Sequence, residues 1–425
     1  MRAAVVVLGD LGRSPRMLFH ARALAAEHVD VDLVGTSGAA LPSFISGNPR
    51  ITVHTILDST SRGHTARSRA GYLVAAALRG VRLLASLTAL LLWRLPKPDV
   101  ILVQNPPGVP TLAVAWLAAR VRSARLVVDW HNTTSAMLAM RLGAAHVLVR
   151  AIGWYEGAFG RTADVNLFVS SHMKDALGAR WRFGGIVFRD QPADTFAPSA
   201  GEARERVRAD LVARFGRSAE REPVLVISPT SWTADEKLDL LLDALVEYDA
   251  AVEHDAEAGA MPPVLALITG SGPMKRAFED RVARTPLAHV AIRTAWLEAE
   301  DYPRAMAAAD LGMCFHTSAS GLDLPMKIAD MFGAGIPVCA FDYGPCLREV
   351  VRPGINGVLF ITAEDCCARL SELLRGFPDS SHALRALADG VRRSSGPTWG
   401  EAWASTVRAA VLRIPRERPI RPSAS

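Results

Sequence analysis

The chain has 425 residues, of which 50% are hydrophobic and 21% are charged, and its formal net charge is +5. This length fits two domains rather than one, and the apolar content excludes an intrinsically disordered chain. The mild positive charge suits an anionic ligand or an anionic membrane surface, so we expect no nucleic-acid partner.

Residues 1–190 alternate short apolar runs with helical stretches, which predicts an α/β fold with an N-terminal Rossmann-like domain. The predicted strands are AAVVVLG, VDVDLVG, ITVHTI, DVILVQ, RLVVDW and VNLFVS. Continuous apolar strands separated by helices indicate a parallel sheet covered on both faces. No signal peptide precedes the first predicted strand, so we expect the chain to stay outside a secretory lumen.

The turn after the first predicted strand, LGDLGRSPR, carries candidate anion-binding residues. Its two glycines permit a tight turn, and the serine is expected to cap a helix that the following proline begins. The start of a helix favours an anion, and the two arginines would add charged donors. The alternative is an ordinary turn with solvated arginines, since the full G-x-G-x-x-G fingerprint is absent. The candidates are Gly9, Asp10, Gly12, Arg13, Ser14 and Arg16.

Residues 71–95 predict a long apolar helix that is interrupted by Arg79 and Arg82. Its uncharged run is too short to cross a bilayer. Tyr72 and Trp93 near its ends are typical of a helix that lies in the membrane interface. We expect an interfacial helix, with a fully buried core helix as the alternative.

Two short polar patterns lie at opposite ends of predicted strands in this domain. Asp30 and Asp32 spell a D-x-D motif, but they begin a strand, whereas ligands bind at the carboxyl ends of strands in open sheets. We therefore predict no metal site there. Asp129 and His131 stand where a strand ends, and a histidine at that place suits a general base, a phosphate ligand or a structural hydrogen bond.

The second half repeats the alternating pattern after a change in composition. Residues 191–222 are rich in Pro, Ala and charge and are interpreted as a linker. Residues 223–395 predict a second Rossmann-like domain, with the strands PVLVISP, VLALITGSG, VAIRTAW, LGMCFH, IPVCAF and GVLF. Residues 396–425 predict a helix, on which Trp399, Trp403 and Val407 share a face, and a loose tail.

Two tandem domains predict a cleft, which is where ligands usually bind. The five cysteines all lie in the C-terminal half without C-x-x-C spacing. They are expected to be reduced thiols in a cytosolic compartment, and a zinc site is not expected.

The stretch HTSASGLDLPMKIADMFGAGIPV, residues 316–338, carries the sharpest pattern of the second domain. A loop before a helix that starts near Pro325 suits a diphosphate held by backbone amides. Lys327 would neutralise charge, and Asp330, one turn further on, would accept from sugar hydroxyls. A buried core helix would need none of these polar groups at this spacing. The candidates are Gly321, Leu322, Asp323, Lys327 and Asp330.

Two further loops of the second domain point to the same place. The loop ITGSGP contains Gly270, Ser271 and Gly272, which suit a base or phosphate lying against bare backbone. In ISPTSWTADEKLDLLL, Thr233 and Glu236 form a capping-box pattern and are interpreted as structural. Ser228, Thr230 and Ser231 are candidate ligands.

Together these stretches resemble the GT-B glycosyltransferases, and within them the family of β-mannosyltransferases that add the first mannose to the dolichol-linked oligosaccharide. The similar stretches are VVVLGDLGRSPRM, VQNPPGVPTL, VDWHNT, WYEGAFGR, SPTSWTADE, ITGSGP and FHTSASGLDLPMKIADMFG. The quoted stretches lie between residue 5 and residue 333. The resemblance implies two Rossmann-like domains facing across a cleft, with the C-terminal domain binding GDP-mannose and the N-terminal domain binding a lipid-linked GlcNAc2 diphosphate.

The resemblance also implies transfer with inversion, and hence a single displacement in which a base takes the acceptor proton while donors stabilise the leaving GDP. His131 is the candidate base, with Asp10 and Glu156 as rivals. Lys327 and Asp323 are the candidate catalytic residues on the leaving-group side. No metal or other cofactor is implied. The expected location is the cytosolic face of the endoplasmic reticulum membrane, beside other mannosyltransferases of the pathway.

The sequence departs from the family pattern at three places. Many GT-B enzymes have seven residues between two glutamates, whereas six separate Asp323 from Asp330, so only Asp330 carries over. Lys237 stands where a carboxylate is common. The N-terminal anchor of several relatives is missing, so attachment would depend on residues 71–95 or on a partner.

Two other functions stay open at this stage. One is a GT-B transferase with a different nucleotide sugar or lipid acceptor, and the other is an inactive GT-B chain that serves as a membrane-bound partner subunit. His131, Lys327 and Asp330 favour an enzyme, because a scaffold would not need polar groups that converge on a cleft.

Overall fold

In the computed structural model, residues 1–58, 80–216, 221–255 and 260–412 are described. They form two compact units. The first comprises Met1–Phe188 together with the chain from Gly400 onward, and the second comprises Arg189–Trp399. Each unit is built on one parallel sheet, as continuous apolar strands demand when helices cover both faces.

The first unit contains a seven-stranded parallel sheet with the order β3-β2-β1-β4-β5-β6-β7. Its strands are β1 (Arg2–Asp10), β2 (Asp30–Ser37), β3 (Ile51–Asp58), β4 (Val100–Asn105), β5 (Arg125–Trp130), β6 (Val165–Phe168) and β7 (Ile186–Val187). The six predicted strands are confirmed, and the two-residue β7 was too short to give a periodic signal.

The described helices of this unit cover the sheet. They are α1 (Pro15–Ala26), α2 (Ser43–Ser46), α3 (80–89, continued by a π-helical turn over Leu90–Arg94), α4 (Thr111–Arg122), α5 (Thr134–Leu142), α6 (Val147–Thr162) and α7 (Ser171–Trp181). None of the helices in the described parts of the chain has the length and apolarity that a membrane crossing requires.

The predicted apolar helix 71–95 is covered only in part, because residues 59–79 lie outside the described chain. Within α3 and its π-helical turn, Leu87 and Leu91 are buried, whereas Val81 and Trp93 are exposed. The described part is therefore amphipathic, with its inner row packed on the unit and its outer row at the surface.

The second unit contains a six-stranded parallel sheet with the order β10-β9-β8-β11-β12-β13. Its strands are β8 (Val224–Pro229), β9 (Val264–Thr269), β10 (Val290–Ala295), β11 (Leu311–Cys314), β12 (Val338–Phe341) and β13 (Gly357–Phe360). All six were predicted. Its described helices are α8 (Gly201–Phe215), α9 (Leu238–His254), α10 (Lys275–Ala283), α11 (Asp301–Ala308), α12 (Met326–Gly333), α13 (Ala363–Leu374) and α14 (His382–Arg393).

The stretch interpreted as a linker, 191–222, instead contains α8, which packs on α11 as part of the second unit. Leu211 is buried in the same apolar cluster as Ala305. Arg208 is also buried, and it pairs with Asp310 across the unit. Because the inner face of α8 carries few apolar residues, its helical period was hidden by charge.

The end of the described chain returns to the first unit as α15 (Trp399–Thr406) and α16 (Arg408–Leu412). Trp399, Trp403 and Val407 are buried, as predicted for one shared face. The indole Nε1 of Trp403 donates to Nδ1 of His20 at 3.0 Å. Arg408 pairs with Glu27 at 2.8 Å, so both helices are fixed to α1.

The cysteines of the second unit are free thiols. Cys314, Cys339, Cys346 and Cys366 are buried in its interior. Burial raises the pKa of Cys314 to about 11, so this thiol stays protonated at neutral pH.

Candidate functional site

The turn after β1 is stabilised by Asp10 rather than left open. The Asp10 carboxylate accepts from the backbone N–H of Gly12 at 3.1 Å and of Ala39 at 3.0 Å. A Cβ at Gly12 would lie 2.6 Å from the Ala39 carbonyl oxygen, so this loop contact requires glycine. Ser14 precedes α1 as predicted, but its hydroxyl donates to the Asp10 carbonyl and does not cap the helix. Arg13 remains exposed, 3.6 Å from Asp10.

Arg16 does not face a ligand, so its prediction as an anion-binding residue is wrong. Its guanidinium is 1% exposed and binds the Asp129 carboxylate with two hydrogen bonds, at 2.8 and 3.0 Å. A third bond goes to the Phe188 carbonyl oxygen at 2.9 Å. The two partners lie far from Arg16 in sequence, so the local motif carried no sign of them.

Asp129 is the centre of a buried charge cluster that also includes His20 and His131. Nε2 of His20 lies 3.1 Å from the carboxylate, and Nε2 of His131 lies 2.9 Å from it. Burial opposes the anion, but Arg16 and the two imidazoles outweigh it and hold the pKa of Asp129 well below its usual range. Burial lowers the pKa of His20, which is neutral and therefore donates through Nε2 while Nδ1 accepts from Trp403.

His131 is the member of this cluster that reaches the surface, with 23% of its side chain exposed. Because its Nε2 faces Asp129, its Nδ1 is the nitrogen that points elsewhere and can accept a proton. An imidazole oriented by a buried carboxylate is a common arrangement for a general base. The geometry is thus compatible with the predicted role, which stays a prediction.

Glu156, the rival base, is fully buried and serves another purpose. Its carboxylate accepts from the backbone N–H groups of Thr134 and Ser135, at 2.6 and 3.2 Å, and from Nδ2 of Asn105 at 3.1 Å. A carboxylate at the start of α5 satisfies free N–H groups and interacts well with the helix dipole. Glu156 therefore anchors α5 to the end of β4, and its interpretation as a base is wrong.

In the second unit, the loops after β8 and β9 touch each other directly. The backbone N–H of Thr230 donates to the Thr269 carbonyl oxygen at 2.8 Å. Gly270 has a φ of +123°, and a Cβ there would lie 2.0 Å from the Thr230 carbonyl oxygen. A Cβ at Gly272 would lie 2.1 Å from the Ser231 carbonyl oxygen. Both glycines are thus explained by loop packing.

The Ser and Thr residues that were predicted as ligands on these loops differ in solvent exposure. Ser228 and Thr230 are buried, and the Thr230 hydroxyl accepts from the Trp232 backbone N–H at 3.1 Å. Ser231 and Ser271 are exposed. The exposed pair is therefore better placed to meet a ligand.

The predicted capping box of Thr233 and Glu236 does not form. Helix α9 begins at Leu238, and Lys237 precedes it without a side-chain cap. Glu236 is instead buried and forms an ion pair with Nζ of Lys327. Sequence reasoning missed Glu236 as a site residue, because its partner lies 91 positions away on helix α12.

His316 is the second residue of this site that sequence reasoning left without a role, although it stands in the quoted motif. Its Nδ1 lies 3.3 Å from Asp235 and its Nε2 lies 3.4 Å from Asp323. Burial lowers the pKa of the imidazole, but the two carboxylates outweigh burial and raise it to about 9. His316 is therefore an imidazolium at neutral pH, and Asp235 has a pKa well below its usual range mainly because of it.

Asp323 is fixed by its own loop. It accepts from the hydroxyls of Ser318 and of Ser320, the latter at 3.3 Å, and its backbone carbonyl accepts from the Tyr343 hydroxyl at 2.8 Å. Gly321 has a φ of +70° and faces open space. The neighbouring Leu322 donates its backbone N–H to Ser320 at 3.2 Å.

Asp330 lies on α12, which starts directly after Pro325, as predicted. Burial, with the nearby charge of Asp190, raises the pKa of Asp330 to about 7, although Lys327 opposes the shift. A carboxyl that titrates near neutrality can either donate to a sugar hydroxyl or accept from it. The structure thus brings Lys327 and Asp330 onto one helix and Lys327, Glu236, His316 and Asp323 into one charged cluster.

The charged cluster has the ligand types of a metal site. Asp235, Glu236 and His316 offer atoms that all lie within 4.8 Å of one another. However, Lys327 already neutralises Glu236, and the imidazolium of His316 has no lone pair to give. A metal ion would have to displace the ammonium of Lys327 from Glu236 and a proton from His316. These three side chains are therefore better suited to their present ion pairs than to a metal.

A cavity of about 470 Å³ lies beside α12 in the second unit. Ile328 and Phe332 line it, together with residues 189–192 and 394–396. Lys327 and Asp330 do not line it. None of the predicted donor-binding residues lines this cavity.

Comparison with known proteins matches each unit to a family. A glycosyl transferase 4-like domain matches residues 14–187, and a glycosyl transferases group 1 domain matches residues 223–376. UDP-glycosyltransferase TURAN of Arabidopsis thaliana is 38% identical, over 97% of this chain and 97% of its own length. The chitobiosyldiphosphodolichol beta-mannosyltransferase of Homo sapiens is 35% identical, over 96% of this chain and 92% of its own. The enzyme of the same name from Yarrowia lipolytica is 38% identical, over 96% and 85%.

Solved structures agree on the fold. A glycosyltransferase from Rickettsia africae superposes with a TM-score of 0.63 at 13% identity, covering 96% of this chain and 97% of its own. Sucrose-phosphate synthase from Thermosynechococcus elongatus gives a TM-score of 0.61 at 14% identity, covering 95% and 96%. At this low identity the likeness concerns the fold alone, and it confirms the predicted GT-B class of two Rossmann-like units.

Proposed function

Because this chain belongs to the family of chitobiosyldiphosphodolichol beta-mannosyltransferases, and is thus a glycosyltransferase, we propose that it transfers one mannose from GDP-mannose to a lipid-linked GlcNAc2 diphosphate. The new bond is β-1,4, and the mannose carbon is inverted. The observation that carries the proposal is an identity of 35% or more to enzymes of that name across both units.

In the proposed reaction, the acceptor hydroxyl attacks the mannose carbon while GDP leaves from the opposite face. His131 takes the proton of the hydroxyl through Nδ1, and Asp129 stabilises the imidazolium that forms. The cluster favours this step because Asp129 stays ionised through its ion pair with Arg16. Arg13, which is exposed at the end of the same sheet, meets the acceptor diphosphate.

The leaving GDP needs positive charge and N–H donors. We assign Lys327 to this role, since Glu236 orients its ammonium before the donor binds. A diphosphate carries more charge than one carboxylate and competes with Glu236 for the ammonium. Asp323 holds the 318–323 loop, and Asp330 accepts from donor sugar hydroxyls. No metal takes part in this proposal.

The acceptor lipid places the reaction at a bilayer. We propose that the chain acts at the cytosolic face of the endoplasmic reticulum membrane, beside other mannosyltransferases of the pathway. The outer row of α3 offers apolar and basic side chains for this contact, including Val81 and Trp93.

A second donor class is favoured by one observation. The Arabidopsis relative, at 38% identity, is named a UDP-glycosyltransferase. A UDP-sugar is therefore the competing donor, and the assay must separate the two.

We expect the purified protein to transfer a single mannose from labelled GDP-mannose to a GlcNAc2-diphosphate lipid in the presence of EDTA. A β-mannosidase should release the label, and an α-mannosidase should not. UDP-glucose and UDP-GlcNAc are tested in parallel with the same acceptor. Transfer from a UDP-sugar alone would support the second donor class, and an α-linked product would contradict inversion.

A further inference from the structure

Helices α5 and α6 of the first unit expose an unusually apolar surface where they meet. We call the surface formed by residues 137–154 the hairpin surface. Met140 is 64% exposed, Val147 is 71% exposed and Trp154 is 72% exposed. Its exposed large apolar side chains are Met137, Met140, Leu142, Val147, Leu148 and Trp154.

The exposed apolar side chains of α6 do not lie on the core-facing side of that helix. The inner row of α6 is already buried and includes Val149, Gly153 and Glu156. Val147, Ala151 and Trp154 form a second row at helical spacing on the outside. Helix α6 is therefore apolar on two faces, and within the described part of the unit the outer face is exposed. Exposed patches of this kind mark interaction sites.

The charge of the hairpin surface is one-sided. Residues 134–155 contain Arg141, His146 and Arg150 but no Asp or Glu. A chain with 43 acidic residues in 425 would place about two in such a stretch. Arg141 and Arg150 are exposed beside the apolar residues. The surface is thus complementary to an apolar phase that is bordered by negative charge.

The hairpin surface projects from the edge of the sheet that carries the predicted acceptor residues. Glu156 contacts Asn105, the last residue of β4, so this point of α6 is level with the carboxyl edge. Val147 lies nine residues earlier on the same helix, which is about 13 Å further out. His131 lies at this same edge, just beyond the end of β5. The tip of the hairpin and the candidate base are therefore on one side of the unit.

We propose that the hairpin surface seats the first unit on an anionic lipid bilayer. The apolar side chains enter the headgroup region, and Arg141 and Arg150 contact lipid phosphates. The proposal rests on the proposed function, since a lipid-linked acceptor is what brings this enzyme to a bilayer. It adds a contact that is separate from the predicted helix 71–95. With the tip in the bilayer, the diphosphate of an acceptor lipid lies at the level of the edge that carries His131.

A second copy of the chain is the competing occupant, and charge disfavours it. Two copies that meet through the same surface would bring Arg141 and Arg150 of each against those of the other. A bilayer with anionic headgroups supplies the opposite charge, so we commit to the bilayer.

The test measures co-sedimentation of the full chain with vesicles that contain neither donor nor acceptor. One set is phosphatidylcholine with phosphatidylserine, and the other is phosphatidylcholine alone. We expect the double variant L142E/V147E to lower binding to both sets by about tenfold or more. The double variant R141Q/R150Q should weaken binding to the phosphatidylserine vesicles only. The control I361E changes an apolar residue of the second unit that is 62% exposed, and it should bind like the wild type.

Unchanged binding of L142E/V147E would overturn the proposal, as would a wild type that binds neither set. Sedimentation velocity without lipid checks the competing occupant, and a wild-type dimer that L142E/V147E converts to a monomer would also overturn it. Transfer to a soluble acceptor analogue in detergent is measured separately for each variant. Failure of transfer with intact vesicle binding contradicts the proposed function alone, whereas intact transfer with lost binding shows that the variant is folded and supports the hairpin surface.

Discussion

Lys327 and Glu236 come from different segments of the second unit and form an ion pair that is largely shielded from solvent. The Glu236 side chain is 2% exposed and the Lys327 side chain 16%. Removing one partner of a buried pair leaves an uncompensated charge, which costs about 3 to 5 kcal/mol. The pair therefore contributes to the fold as well as to the proposed chemistry, and a single substitution tests both at once.

We expect Lys327→Ala to lower turnover by about 10²- to 10³-fold, the effect of losing one charge-stabilising donor. It should also lower the free energy of unfolding, because Glu236 is left buried and unpaired. The double variant E236Q/K327M removes both charges and should regain stability without regaining turnover. Initial rates and urea unfolding are measured on the same preparations.

The matched control is Lys174→Ala on α7 of the first unit, which should match the wild type in both measurements. Turnover of E236Q/K327M within twofold of the wild type would remove Lys327 from the leaving-group role.

His316 gives the second unit a pH dependence at the alkaline end. Its pKa is raised to about 9 in the folded chain, because its carboxylate partners outweigh burial, against 6.5 when unfolded. A raised pKa means that the bound proton stabilises the fold fully below pH 6.5 and that this stabilisation is lost as the pH rises through about 9. Its size is about 3 kcal/mol.

We therefore expect the difference in unfolding free energy between the wild type and His316→Gln to be nearly constant from about pH 5 to pH 6. It should shrink by about 2 to 3 kcal/mol between pH 6.5 and pH 10. Urea unfolding across this range, followed in the second unit, gives the measurement. A difference that does not depend on pH would show that His316 is neutral between its two carboxylates.

The residue types of the site could be predicted from the sequence, but their partners could not. Lys327 and Asp323 lie in one short motif, whose polar groups a core helix would not need. Arg16 looked equally exposed in its own motif, yet it pairs with a carboxylate 113 positions away. Glu236 resembled a cap, because the local pattern is the same whether or not the helix starts there. Long-range pairing decides such cases, and a short motif does not contain it.

At the scale of elements, the spacing of apolar residues predicted the strands reliably. Charged residues concealed this spacing in one helix. All twelve predicted strands form, since a strand buried on both faces must be continuously apolar. Helix α8 was missed because a charged residue, Arg208, occupies its inner face beside Leu211. The C-terminal helix was predicted from the spacing of its tryptophans, but its destination on the first unit was not.

Helix α15 carries a prediction of its own through Trp403, whose side chain is 1% exposed and donates to His20. We expect Trp403→Ala to destabilise the first unit by about 3 to 5 kcal/mol, because it leaves a cavity and removes the donor to His20. Hydrogen exchange by mass spectrometry should show faster exchange in β1 and β5 and unchanged exchange in β8 and β9. Trp296→Ala, which truncates an indole that is 63% exposed, is the control. Equal acceleration in both units would contradict the assignment of α15 to the first.

At the scale of the whole molecule, the two repeats of strand and helix made the GT-B class predictable from the sequence. The boundary between the units falls at Phe188 and Arg189, close to residue 190, where the composition of the sequence changes. The family was visible only in the motifs of both units taken together, since no one of them is specific. The fold is therefore predicted by the repeated alternation of strands and helices. The family is predicted by the motifs of both units taken together.

The return of the chain to the first unit sets the order in which a ribosome can complete the protein. The first unit still lacks α15 and α16 when Phe188 has been synthesised, and about 210 further residues must follow. At usual elongation rates this takes roughly 10 to 40 s. During this time α1 lacks the contacts of His20 with Trp403 and of Glu27 with Arg408. The second unit is continuous in sequence and can finish first. A premature stop codon near the 3′ end would therefore damage the half of the molecule that was translated earliest.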